Sequence, residues 1–117
     1  MTCAGPAAAQ AAGPLAAYAF DDGSGTVLSD VSGHGNTMDV TNGPVWVAGR
    51  YGTALSFDGS NHRAVARAYN AALNLSGGSF TLSAWINPRS NSAWQMIVLK
   101  PAYARHTAPY FDWSLHR

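Results

Sequence analysis

The chain has 117 residues and a formal net charge of +1, with 47% hydrophobic and only 11% charged residues. That length fits one domain with a modest core, and the composition is not that of a disordered chain, which lacks the apolar residues to offset its ordering entropy. No basic run is present, which argues against a nucleic-acid surface built on clustered Lys and Arg, and no apolar stretch approaches the roughly 20 residues of a membrane-spanning helix.

All six acidic residues are aspartates, Asp21, Asp22, Asp30, Asp39, Asp58 and Asp112, and glutamate is absent. Cys3 is the single cysteine, so neither an intrachain disulfide nor a thiolate metal cluster can form. Residues 1–14 are rich in Ala, Gly and Pro and lack the basic and leucine-rich regions of an intact signal peptide. They read as a flexible linker or the remnant of processing, leaving 15–117 as the folded part.

From Leu15 onward, short alternating segments are broken by turn residues, the period-2 signature of strands with one buried face. "LAAYAF" places Tyr18 and Phe20 on one side, and "VWVAG" follows the opening loop. In "ALSFDG", Leu55 and Phe57 share a face and Asp58-Gly59 supplies a turn. "HRAVARA" is a weaker strand, and "NAALNLSGG" suits one helical turn. The clearest strand is "SFTLSAWIN", with Phe80, Leu82, Ala84 and Ile86 opposed to Thr81, Ser83 and Trp85. "WQMIVLK" is continuously apolar, as a strand buried on both faces would be, and Pro101 stops it. "YFDWSLHR" alternates Phe111, Trp113 and Leu115 against Asp112 and Ser114. These elements predict an all-β, antiparallel two-sheet sandwich.

The opening loop, "FDDGSGTVLSDVSGHGNT", carries the densest polar chemistry. It is no phosphate cradle, because neither Gly-Lys-Ser/Thr nor a helix start follows the glycines. It is no EF-hand, which closes on a bidentate glutamate. Two readings stay open. Asp21, Asp22, Asp30 and Asn36 supply the hard oxygens that calcium prefers; alternatively, these are turn formers, with Asp30 making an Asx-turn and Gly33 and Gly35 taking positive φ.

In chain order, the blocks "LAAYAFDDGSGTVLSDVSGHGNT", "GRYGTALSFDGS", "LNLSGGSFTLSAWINPRS" and "WQMIVLK" resemble the laminin-G-like, concanavalin A-like jelly-roll family of bacterial secreted proteins. The resemblance covers about Leu15 to Leu115. It implies two facing antiparallel sheets, an extracellular or cell-surface location, attachment to a larger multidomain protein, and often a structural calcium near Asp21, Asp22 and Asp30. His34 stands where many members have Asn. Family members continue through further strands, so the resemblance also implies that this chain supplies the N-terminal part of an incomplete jelly roll.

Function follows from what the residues permit. Glycoside hydrolysis requires two carboxyl groups flanking the scissile bond; the family's glucanases use paired glutamates on one strand, and this chain has none. No GxSxG elbow or supported Cys-His pair is present, and His34, His62, His106 and His116 lack zinc-site spacing. Asn74 heads an "NLS" sequon that coincides with a turn. Four tryptophans and five tyrosines suit sugar stacking, yet aromatics also fill sandwich cores, and Trp85 is expected to be packed or covered. The resulting expectation is a noncatalytic carbohydrate-binding or adhesion module, with a polysaccharide or glycan as partner. Its alternatives are a spacer beside a larger secreted hydrolase, or part of a glycosidase whose catalytic residues lie elsewhere.

Overall fold

The structure is a computed structural model that describes residues 13–75, 77–89, 95–101 and 111–117. The expectations placed on residues 1–12, Trp94 and His106 lie outside the described residues. The described part is all-β: its strands pair antiparallel throughout, and its only helix is one 3-10 turn. The chain divides into two compact units, Met1–Tyr69 and Asn70–Arg117.

The first unit holds five strands, β1 (Val27–Leu28), β2 (Met38–Thr41), β3 (Val45–Ala48), β4 (Thr53–Ser56) and β5 (Arg63–Ala66). A three-stranded sheet runs in the order β1-β2-β5, and β3 and β4 form a separate hairpin. Pairing Leu28 with Met38 and Val40 with Ala64 gathers those four side chains on one sheet face, because directly opposed residues point the same way. Leu28 (2% exposed) and Val40 (6%) are the buried hydrophobic residues of the described chain, each contributing on the order of 2 kcal/mol by leaving water. The opposite face carries Asp39 and Thr41 from β2 beside Val65 and Arg63 from β5.

The β3–β4 hairpin turns through Gly49–Gly52, with Gly49 N–H donating to the Gly52 carbonyl at 2.9 Å. A Cβ on Gly49 would lie 2.8 Å from the Thr53 backbone oxygen, so only glycine fits there without movement. Two contacts tie this hairpin to the opening loop. Trp46 Nε1 donates to the Gly25 carbonyl at 3.0 Å, and Thr53 Oγ1 donates to that of Phe20. Phe20 itself takes φ 60°, the left-handed region that a bulky residue adopts only when its surroundings hold it.

In the second unit, β6 (Met96–Pro101) pairs with β7 (Phe111–His116), with register shifts between Met96 and Val98 and between Lys100 and Pro101. The expected helical turn is present as a 3-10 turn over Ala71–Leu73, capped by Asn70, whose side-chain oxygen accepts from Ala72 N–H at 2.9 Å. Trp113 Nε1 donates to the Leu73 carbonyl at 2.8 Å, and its ring lies 6.5 Å from that of Phe80, tilted by 50°.

Several expectations are corrected. "SFTLSAWIN" lies outside any sheet despite its regular alternation. A strand needs a ladder partner, and no described strand pairs with it; Phe80 (46%), Ile86 (46%) and Trp85 (75%) are all exposed, so Trp85 is not covered as expected. "LAAYAF" is likewise no strand, its backbone being drawn into the opening loop instead. Phe57 lies just past β4 and is exposed. β6 is not buried on both faces, since it belongs to a two-stranded sheet and exposes Met96 and Leu99; Pro101 falls within it, paired with Phe111. Conversely, β1 and β2, which hold the core, arise inside and just after a stretch read as one loop.

Candidate functional site

The opening loop closes around Asp30. One carboxylate oxygen accepts from the backbone N–H of Ala17 at 3.0 Å and of Ser32 at 2.9 Å; the other accepts from Asn36 N–H at 2.8 Å. The Ser32 contact is the expected Asx-turn, and Gly33 (φ 88°) and Gly35 (φ 75°) take positive φ as their turns require. Asn36 is buried; its side-chain amide donates to the Leu15 carbonyl at 2.8 Å, and its own carbonyl accepts from the Tyr18 hydroxyl at 2.6 Å. A single carboxylate therefore joins three segments of chain. Burial alone would raise the Asp30 pKa, but the hydrogen bonds from Ala17, Ser32 and Asn36 outweigh it and hold the group well below the usual carboxylate range. Burial, followed by the Asp30 charge, pushes the Tyr18 hydroxyl up to about 12.

Asp22 makes a second, smaller latch. Its oxygens accept from Ser29 N–H at 3.0 Å and from the Ser29 hydroxyl at 2.5 Å, and the Ser29 hydroxyl, then the Ser29 amide, lower its pKa. Asp21 and Asp22 line one open depression of about 240 Å³ together with Ala19, Phe20, Ser29 and Val31. An Asp21 oxygen also lies 2.5 Å from where a Cβ on Gly52 would sit.

The four residues expected to hold calcium are thus divided. Asp21 and Asp22 share a depression, while Asp30 and Asn36 serve a separate backbone network. Calcium takes six to eight converging oxygens, and a carboxylate offers about four acceptor positions, of which backbone amides occupy three at Asp30. Among the described residues, no three His, Cys, Asp or Glu side chains gather as a metal-holding group. In this arrangement Asp30 and Asn36 serve loop closure, and Asp22 latches onto Ser29.

The outer face of β2 and β5 was not singled out by the sequence. Asp39, Thr41, Asn42, Arg63, Val65, Ala66 and Arg67 line an open depression of about 480 Å³. Arg67 grips Asp39, with its Nε and Nη2 at 2.8 and 2.7 Å from one carboxylate oxygen. The Asp39 hydrogen bond and charge raise the Arg67 pKa in return. Thr41 Oγ1 donates to the Arg63 carbonyl at 3.3 Å, and Asn42 Nδ2 donates to that of Asn61 at 2.7 Å. Asn42 sits at φ 64°, a left-handed position that asparagine tolerates better than most residues. Alternation in "MDVT" and "RAVAR" was the available signal; it could assign these residues to one patch only once β2 was known to pair with β5.

The neighbouring Asp58 turn is structural. One Asp58 oxygen accepts from the N–H groups of Ser60, Asn61 and His62, the first of which does most to lower its pKa. His62 Nδ1 faces Asp58 N–H at 3.2 Å and its Nε2 lies 3.4 Å from the other carboxylate oxygen. Accepting at Nδ1 leaves the ring proton on Nε2, toward the carboxylate. Compared with family models, curated proteins and solved structures, the chain matches none.

Proposed function

We propose that the chain is a noncatalytic carbohydrate-binding module whose contact surface is the outer face of β2 and β5. The observation that carries this reading is the Asp39–Arg67 pair, which joins β2 to the residue just past β5 at 2.7 to 2.8 Å and lines an open depression. Sugar hydroxyls both donate and accept, and a recognising surface needs both functions in set positions. Asp39 supplies acceptors, Arg67 and Arg63 supply donors, Thr41 and Asn42 supply either, and the exposed Val65 offers an apolar contact for a ring face. The ion pair restrains the long Arg67 side chain before a ligand arrives, which reduces the entropy lost on binding.

The same depression supports binding over hydrolysis. Asp39 is its one carboxylate among the described lining residues, whereas a glycosidase requires two. The family reading, a laminin-G-like jelly roll from a secreted protein, is supported by the order of the four sequence blocks and by the all-β antiparallel pairing. The departure of "SFTLSAWIN" from any sheet counts against it. The carbohydrate reading does not require calcium. A glycan array probed with the full chain, followed by titration of the best ligand into the parent and into Asp39→Asn/Arg67→Gln, tests it. Binding that falls at least tenfold in the variant supports the reading; no binding to any glycan, or equal binding by both proteins, overturns it.

A further inference from the structure

The order β1-β2-β5 leaves β5 at the edge of its sheet. Arg67 N–H donates to the Thr37 carbonyl at 3.1 Å, extending the ladder in which Asp39 opposes Val65 and Thr41 opposes Arg63. Antiparallel alternation then turns the backbone groups of Arg63, Val65 and Arg67 toward β2 and those of Ala64 and Ala66 away from it. The outward N–H and C=O groups of Ala64 and Ala66 have no hydrogen-bond partner among the described residues, and Ala66 is exposed. Such a row of open backbone groups is a template for one more strand.

The side chains specify which strand it would be. Arg63, Val65 and Arg67 stand on the outer face of this edge, so an added strand would set every second residue beside them. Arg67 is already neutralised by Asp39, whereas Arg63 is exposed with no acidic partner among the described residues. Val65 between them is 47% exposed. We infer that the outer edge of β5 docks an extended peptide segment that places an acidic residue beside Arg63, a small apolar or β-branched residue beside Val65, and its own backbone on Ala64 and Ala66. A second copy of this chain is a poor occupant. Self-pairing through β5 would bring only the segment Arg63–Ala66, which has no carboxylate to set beside Arg63. This inference rests on the open backbone edge of β5, and it shares Arg63 and Val65 with the proposed glycan surface.

Ala66→Pro is the decisive variant. Its missing N–H points away from β2, so the existing ladder stays whole while the outward donor is lost. The full chain is titrated against a fluorescent synthetic peptide with glutamate at alternate positions and valine or threonine between them, using anisotropy, and against the same peptide with lysine replacing glutamate. Binding of the glutamate peptide at least tenfold tighter than the lysine peptide is expected. Ala66→Pro should abolish it at an unchanged circular dichroism spectrum, and Arg63→Glu should reverse the peptide preference. Equal affinity for both peptides, no binding of either, or full binding by Ala66→Pro overturns the inference. So does concentration-dependent dimerisation of the parent that Ala66→Pro removes.

Discussion

Replacing Asp30 by Asn removes a charge and one acceptor oxygen while keeping the side chain's shape. The carboxylate accepts three backbone hydrogen bonds, two on one oxygen and one on the other. Hydrogen bonds to a charged group contribute about 1.5 kcal/mol each at the lower end of their range, and a neutral acceptor gives roughly half of that. If the asparagine oxygen keeps Ala17 and Ser32, those two bonds each weaken by about half, and the Asn36 N–H faces an amide donor and loses its bond outright. The total is about 3 kcal/mol. A loss of that size lowers the melting temperature of a domain this small by about 15 °C. Thermal unfolding followed by circular dichroism at neutral pH reads it directly, with Ser60→Ala as a control that leaves the loop intact. A shift below about 3 °C would mean that the three bonds do not close the loop in solution, and the account of Asp30 as its latch would fail.

The Tyr18 hydroxyl is raised from 10.0 to about 12, so the folded state keeps its proton where the unfolded state has lost it. Its contribution to stability is fully present below pH 10 and is lost as pH rises toward 12; urea midpoints across this interval should fall in the parent and stay flatter in Tyr18→Phe. Gly52→Ala, at φ 67°, and Gly25→Ala, at φ 80° with open space around it, should each cost about 1 kcal/mol, because the Asp21 oxygen 2.5 Å from the new Cβ at Gly52 ends a side chain that can swing aside; a Gly52→Ala loss clearly larger than that of Gly25→Ala in urea denaturation would show that Asp21 is held in place. Because three backbone amides already occupy the Asp30 carboxylate, neither millimolar calcium nor chelator should move the melting temperature. A calcium-dependent rise of several degrees would show that the loop binds the ion in another arrangement.

The parts of the fold legible in the sequence are those fixed by local chemistry. The Asx-turn at Asp30, the Asn70-capped turn, the Asp58 turn and the β3–β4 hairpin are each specified by residues close together in the chain. What was misread depends on partners distant in sequence. "SFTLSAWIN" alternates much as "FDWSLH" of β7 does, but alternation describes a surface and supplies no ladder. "TVLS" and "MDVT" are short and flanked by turn residues, yet they become strands because each finds a neighbour, and their Leu28 and Val40 provide the buried core. The candidate site follows the same division. Asp21, Asp22, Asp30 and Asn36 were identifiable as oxygen donors, but whether those oxygens face an ion or backbone amides depends on how Leu15 to Tyr18 fold back over the loop. The Asp39–Arg67 pair joins residues 28 positions apart and was invisible without the register of β2 against β5.

The central functional claim is that the outer face of β2 and β5 is the contact surface for glycan. Amide chemical-shift mapping during titration of the full chain with its best array ligand tests this most directly. The perturbed amides should cluster over Asp39–Asn42 and Arg63–Arg67. Perturbations confined to Asp21–Asn36, or centred on Trp85, would contradict it.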